Sequence, residues 1–195
     1  MRFEYVPGAR PIDADETAGL IPAHITLQRE LNEYEEANIL EATEWLFSRH
    51  RGDPLNETFI LAVHRRMFRH VWKWAGKPRR SDKNLGVRWF EIPTHLRRVV
   101  DDTRYQIEHP ALDPAEIAAR YHHRLVAVHV FPNGNGRHAR LMADLLAKTL
   151  TGKCLEWGRG SLVEASALRQ QYIGALRSAD TGDYRALLVF LGVSR

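Results

Sequence analysis

From Thr26 onward, apolar residues recur every three or four positions in one segment after another, and that period constrains the fold more than any other feature. Leu27, Leu31, Tyr34, Asn38, Ala42 and Leu46 form the first stripe, with Glu30, Glu33 and Glu36 on other faces, so a helix is predicted over 26–48. Asn56 offers a cap for a second helix, striped by Phe59, Val63, Met67 and Val71 and stopped by Gly76. A third follows Pro93, with Thr94 as cap, Leu96, Val99, Thr103 and Ile107 as stripe, and His109-Pro110 as terminus. Asp113-Pro114-Ala115-Glu116 combines an acidic cap, Pro at the first helical position and Glu at the third, a start signal for a helix carrying Ile117, Tyr121, Leu125 and Val128. Leu141, Leu145 and Leu146 mark another, Leu168, Tyr172 and Leu176 a later one, and Tyr184 to Leu191 a short last one.

One stretch breaks the period. Val87-Arg88-Trp89-Phe90-Glu91-Ile92 is rich in β-branched and aromatic residues and follows Asn84-Leu85-Gly86, which reads as a short hairpin. The expectation is an all-α helical bundle with one small β-hairpin, a single domain over 23–195. Residues 1–22, punctuated by Pro7, Gly8, Pro11, Gly19 and Pro22, read as an irregular extension.

Composition narrows the functional classes. At 195 residues, 44% hydrophobic and 27% charged, the chain has material for one substantial core. A net charge of +4 from 28 basic against 24 acidic residues is too thin to imply nucleic acid. Arg65, Arg66, Arg69, Lys73, Lys77, Arg79 and Arg80 read as a solvated face and a surround for an anionic ligand or acidic target, so direct nucleic-acid binding is not expected. Cys154 is alone, which excludes an internal disulfide or a thiolate zinc site and suits a reducing cytoplasm. Met1 to Ile12 has no apolar signal region, and nowhere do 18 apolar residues run together, so neither export nor a membrane span is expected. His122, His123, His129 and His138 show no His-Glu-x-x-His pattern of a zinc hydrolase.

Chemistry concentrates in His129-Val-Phe-Pro-Asn133-Gly-Asn135-Gly-Arg137-His-Ala-Arg140, a helix end, a glycine-containing turn and a helix start. Gly134 and Gly136 lack Cβ, so a phosphate can approach the backbone, and the first-turn N–H groups of the next helix carry partial positive charge. Arg137 and Arg140, three apart on one face, can grip adjacent phosphates, and Asn135 adds an amide donor. His129, over that anion site, is placed to take a proton from an attacking hydroxyl. Phe131 reads as the apolar peg of the turn, and the Asn133 carbonyl oxygen as a candidate ligand for a magnesium ion bridging phosphates. Taken singly, the glycines could merely close a helix connection, His129 could cap or pack, and Arg140 could pair with Asp144. Two glycines, two arginines, two asparagines and a histidine within twelve positions favour a site that hands part of a nucleoside triphosphate to a hydroxyl.

These residues resemble the signature of the Fic family, His-x-Phe-x-Asp/Glu-Gly-Asn-Gly-Arg-x-x-Arg, which His129, Phe131, Gly134, Asn135, Gly136, Arg137 and Arg140 match in register. Trp74-Ala-Gly-Lys-Pro-Arg79 and Ala179-Asp-Thr-Gly-Asp-Tyr184 are similar to other family stretches, and the Pro-Asn-Gly-Asn-Gly-Arg-His-Ala-Arg-Leu version resembles the branch called mobile mystery protein B. The resemblance implies transfer of AMP from ATP to a Ser, Thr or Tyr hydroxyl of a target protein, with His129 as base and magnesium as cofactor. It implies that Asn135 and the glycine backbone hold phosphates, that Arg137 and Arg140 bind the triphosphate tail, and that Gly86, Val87, Trp89, Phe90 and Ile92 form the flap that aligns the target. A small helix-turn-helix partner is implied by the branch. Asn133 departs from the signature where the family has a magnesium-binding carboxylate, which keeps two alternatives open: phosphate transfer of the Doc type, or a nucleotide-binding interaction module. Thr26-Leu-Gln-Arg-Glu30-Leu31 is similar to the family's inhibitory motif apart from Leu31, implying a latch between Glu30 and Arg140.

Overall fold

The computed structural model describes residues 17–22, 24–25, 27–48, 52–158, 162 and 166–193. Among these, seven α-helices follow in order: α1 (Gln28–Ser48), α2 (Glu57–Phe68), α3 (Ile92–Glu108), α4 (Pro114–Val128), α5 (Asn135–Thr151), α6 (Ala167–Asp180) and α7 (Arg185–Phe190). No described helix is long and apolar enough to cross a membrane. Most of the expected extension, residues 1–16, lies outside the described residues. Its end does not hang loose: Ile21 N donates to Val71 O at 2.9 Å and Lys73 N to Gly19 O at 2.8 Å.

The caps form where their chemistry demands. Asn56 accepts from Phe59 N at 3.0 Å, and Asp113 accepts from Ala115 N at 2.8 Å with Pro114 at the next position. Each satisfies a donor that the helix itself leaves unpaired. Helices α4 and α5 form the most extensive pair among the described residues, and Tyr121, Phe131, Met142 and Leu145 are buried in one cluster with Phe68 and Trp72. The hydroxyl of Tyr121 donates to Pro54 O at 2.6 Å, so this large ring is buried without leaving its polar end unpaired.

The hairpin does not form. The described residues contain no strand, only an isolated bridge between Leu20 and Trp72. Residues 80–88 are an irregular loop that runs into a 3₁₀ turn, Trp89–Glu91, and straight on into α3, with Pro93 at its start. The reason is local. Asp82 accepts from Trp89 N at 2.8 Å and so caps the turn, and Pro93 carries a φ suited to a first helical turn and has no N–H for a ladder. Ile92 is buried as the first residue of α3, whereas Trp89 and Phe90 remain 44% and 55% exposed. The predicted cap at Thr94 gives way to this earlier start, for the same reason.

The stripe of α1 is also shifted. Its buried face is Leu31, Glu35, Asn38, Ala42 and Leu46, while Tyr34 and Leu27 are exposed. The charged side chain of Glu35 occupies the core position that the apolar pattern assigns to Tyr34, and it is paired there with Arg137 and Trp72.

Candidate active site

Helix α4 ends at His129 in the left-handed conformation, φ 53° and ψ 60°, the one non-glycine among the described residues with positive φ. Such a conformation costs a residue with a side chain about 1 kcal/mol or more and persists only where surrounding contacts dictate it. The chain then runs through Val130 and Phe131, both buried, to Gly134, which starts α5 at φ 77°. A Cβ at Gly134 would lie 2.5 Å from the Phe68 ring, so both sterics and φ require glycine there. At Gly136 a Cβ would meet nothing nearer than Arg140 Nη1 at 3.9 Å. Protein packing does not demand that glycine. Its open face lets an anion approach the first-turn N–H groups of α5.

The turn is braced from below by polar contacts that sequence reasoning assigned otherwise. Asn135 is 5% exposed, and both ends of its amide serve the turn: Oδ1 accepts from Phe131 N at 2.9 Å and Nδ2 donates to Phe131 O at 2.8 Å. Its side chain thus staples the turn at both ends, with one of the two Nδ2 donors engaged by Phe131 O. Asn133 Oδ1 accepts from Gly134 N at 2.6 Å. Its main-chain oxygen faces His64 Nε2 at 3.0 Å, while His64 Nδ1 accepts from Gly76 N at 3.0 Å. An acceptor at Nδ1 leaves Nε2 as the donor, so His64 is neutral, with one defined tautomer. The same ring stacks on Phe131 with centroids 3.6 Å apart and an interplanar angle of 13°. Phe131 is thus the buried peg expected, and His64 is the bracket that holds it. Burial, the nearby His138 and Arg137 hold His64 well below the usual histidine range, against the opposing effect of the Asn133 carbonyl.

The arginines are built into the structure unequally. Arg137 Nη1 lies 2.7 Å from Glu35 Oε2, and its guanidinium sits 5.1 Å from the centroid of the Phe68 ring. The Glu35 side chain is 4% exposed, and its other oxygen accepts from Trp72 Nε1 at 2.6 Å. Arg140 is half-buried, its guanidinium 5.9 Å from the Tyr172 ring, and its own affinity for a proton is lowered by desolvation, partly restored by Tyr172. The alternative pairing of Arg140 with Asp144 is only a secondary electrostatic effect; Asp144 accepts from Trp157 Nε1 at 2.9 Å and Leu155 N at 3.1 Å. Burial pushes the Asp144 carboxyl up to about 6, against the lowering effect of those donors.

Among the described residues, the carboxylate that reaches a motif arginine is Glu35. Glu30 stands in the first turn of α1, where it accepts from Leu27 N at 3.3 Å as a helix cap does; Thr26 lies outside the described residues. Glu35 escaped the sequence reading because Trp72 and Arg137, which justify its burial, come from distant parts of the chain. The available signal was a glutamate four residues after Leu31, on the face that continues to Asn38, Ala42 and Leu46.

Beside the turn, a cleft of about 790 Å³ is lined by Trp74, Lys77, Arg80, Trp89, Phe90 and Pro132, among others. It joins the motif loop at Pro132 to the two exposed aromatics of the expected flap. Of the other flap residues, Gly86 packs against His129, Val87 is half-buried at the end of the loop, and Ile92 belongs to the core.

The Fic/DOC family model matches residues 54–147, which contain the whole turn. A protein adenylyltransferase, fic-1, from Caenorhabditis briggsae is 35% identical over 136 residues, 68% of this chain and 25% of its own length. The chain thus spans about a quarter of the length of that curated relative. The solved Fic domain of Bep8 from Bartonella sp. 1-1C superposes with a TM-score of 0.70 at 16% identity, covering 88% of this chain and 87% of that one. BepC from Bartonella tribocorum, solved with bound AMPPNP, gives 0.67 at 16% identity, covering 92% and 96%. Signature, helical architecture and relatives agree, and the chain belongs to the Fic/DOC family.

Proposed function

We propose that this chain transfers AMP from ATP to a hydroxyl side chain of a target protein. The observation that carries the reading is the start of α5: a glycine with an open face, a first turn that no N-cap side chain caps and two arginines follow directly on a histidine held in a left-handed conformation. The curated relatives are adenylyltransferases, which supports the same reading. His129 takes the proton of the acceptor hydroxyl as its oxygen attacks the α-phosphorus; the bond from that phosphorus to the bridging oxygen breaks and pyrophosphate leaves. Gly134 and Gly136 let the phosphates approach the N–H groups of Asn135, Gly136 and Arg137. Arg137 and Arg140 stabilise charge on the leaving pyrophosphate. The target segment lies along the cleft bounded by Trp89 and Phe90, with Gly86 and Val87 behind it. Incubation with cell lysate and ATP labelled on the α or the γ phosphate tests the proposal. Transfer of the α label to protein is expected. Transfer of the γ label alone overturns it in favour of phosphate transfer of the Doc type, and transfer of neither reduces the chain to a nucleotide-binding module.

The donor set here does not by itself build a magnesium site. No group of three or more His, Cys, Asp or Glu side chains converges among the described residues, and the Asn133 side-chain oxygen is neutral and bonded to Gly134 N. Magnesium would come with ATP, held by phosphate oxygens, and no step above depends on a protein ligand to it. A carboxylate in place of this amide keeps the bond to Gly134 N and adds a hard anionic donor. Asn133→Asp is therefore expected to lower the magnesium concentration for half-maximal labelling by about tenfold, roughly 1.4 kcal/mol of added affinity, read from labelling across a magnesium titration.

Glu35 belongs to the proposal as a brake. Its carboxylate occupies the arginine that the phosphates need, so ATP must share or displace it, a part the resemblance gave to Glu30. Glu35→Gln keeps an oxygen for Trp72 Nε1 and removes the charge. Breaking a buried pair from one side costs about 3 kcal/mol, so the variant is expected to melt lower without ligand. It should also gain more from saturating ATP than the wild type does. Equal ATP-induced shifts in a thermal melt would exclude the brake. A cytoplasmic location, compatible with the exposed free thiol of Cys154, completes the proposal, together with a small helix-turn-helix partner on the resemblance alone.

A further inference from the structure

We propose that Arg79 is a positioning residue for the transfer reaction: its buried guanidinium clamps the 81–87 loop onto the backbone of His129 and so sets the loop and the base as one unit. This rests on the role of His129 proposed above.

Arg79 is 3% exposed, an unusual place for a guanidinium. Its donors go to backbone carbonyls of separate segments. Nε donates to His129 O at 2.7 Å, Nη1 to Ser81 O at 2.9 Å, and Nη2 to Val87 O. Its own backbone N donates to Val130 O at 2.9 Å. The arginine therefore straddles the end of α4, meeting a carbonyl that the helix leaves unsatisfied with a cation, which the helix dipole also favours.

The loop is held to the same spot by its shape. Gly86 has φ 92°, and a Cβ there would fall 2.5 Å from His129 Cβ, 2.9 Å from Arg79 Nη2 and 3.0 Å from Val128 O. Backbone of the loop thus lies directly on the histidine, at a distance only glycine permits. Asp82 ties the clamp to the aromatics: its Oδ1 lies 3.9 Å from Arg79 Nη1 and accepts from Trp89 N at 2.8 Å. From Trp89, at the wall of the cleft, to His129 there is a continuous chain of polar contacts through one buried side chain. No hairpin ladder stiffens this loop, so the rigidity that a strand pair would give comes from Arg79. A five-donor planar group can meet three carbonyls at once; a lysine in its place cannot.

The experiment compares wild type, Gly86→Ala and Arg79→Lys for ATP affinity by calorimetry, single-turnover transfer of α label, amide exchange across 81–88, and the His129 ring signals by NMR. Gly86→Ala, in an exposed loop, is expected to keep ATP affinity within twofold, slow transfer at least tenfold, speed amide exchange at least tenfold and shift the His129 ring signals. Arg79→Lys should do the same, with a lower melting temperature. Wild-type transfer and exchange in Gly86→Ala would overturn the clamp, as would loss in Arg79→Lys only in proportion to unfolded protein. If the wild type transfers no label, the proposed reaction fails, but exchange and the His129 ring signals still decide whether Arg79 and Gly86 couple the loop to the histidine.

Discussion

His129→Ala is expected to abolish transfer of α label, with a fall of about 10² to 10⁴ in rate, the usual contribution of a positioned general base, and to leave the fold intact. The reason lies in which atoms hold the residue. Arg79 reaches the main-chain oxygen of His129, and the α4 ladder ends on its N–H, which faces Leu125 O at 3.3 Å. Neither contact involves the ring. Alanine inherits both bonds and the same φ of 53°, so the backbone at the end of α4 keeps these two contacts while the imidazole is lost. His129→Gly makes the distinction sharper. Glycine accepts a left-handed conformation without penalty, so this variant should be as inactive as His129→Ala and more stable than it by about 1 kcal/mol, a rise of roughly 2–4 °C in a chain of this size. Inactivity with raised stability would identify a strained residue kept for its chemistry. Either variant labelling at the wild-type rate would remove His129 from the reaction.

The turn was legible in the sequence because its parts are contiguous. Gly134, Gly136, Arg137 and Arg140 follow His129 within twelve positions, and a helix N-terminus places backbone N–H groups without help from elsewhere. The helices were legible for a similar reason, since caps such as Asp113 and Asn56 act within three residues of themselves. What escaped depends on contacts across the chain. Glu35 is buried because Trp72 and Arg137 both reach it, and Arg79 because His129, Ser81 and Val87 converge on it. A single sequence shows a charge and not the partners that make its burial tolerable. The Val87–Ile92 error has a different cause. β-branched and aromatic residues fit a half-buried surface of any kind, and here a 3₁₀ turn and the first turn of α3 present them instead of a strand. Of that run, the polar neighbour Asp82 and Pro93 determine the outcome, more than the apolar residues between them.

Acid should unfold this protein from the inside. His64, His122 and His138 are all buried, and burial is the leading cause that holds each below the ordinary histidine range, His138 at about 4 and His122 at about 3. In the unfolded chain they titrate near 6.5, so between pH 6.5 and 4 the unfolded state binds protons that the native state refuses. Stability from these groups is fully present above 6.5 and is lost as pH falls toward the native values. Asp144 opposes this. Its carboxyl is raised to about 6, so the folded state takes up a proton there before the unfolded state does, near 3.8. Three histidines against one aspartate leave two net protons favouring unfolding, a slope of about 2.7 kcal/mol per pH unit between roughly 6 and 4. Over the whole interval that comes to about 5 kcal/mol, a large share of a total stability of about 5–15 kcal/mol. The melting temperature is expected to drop by roughly 10 °C or more between pH 6.5 and 4.5. His138 offers the control. Its Nε2 faces Ile60 O at 2.9 Å, a donor role that a glutamine amide can take over without titrating. His138→Gln should therefore remove about a half of the net slope, read as the pH dependence of the thermal midpoint. An unchanged slope in that variant would mean that His138 does not drive the acid transition. The consequence reaches the active site through His64, because a proton on its Nδ1 removes the acceptor for Gly76 N and destabilises the ring that stacks on Phe131 and holds the Asn133 carbonyl. The turn proposed to hold ATP and the fold then fail together as pH falls, and ATP binding should weaken in the same interval in which the protein melts.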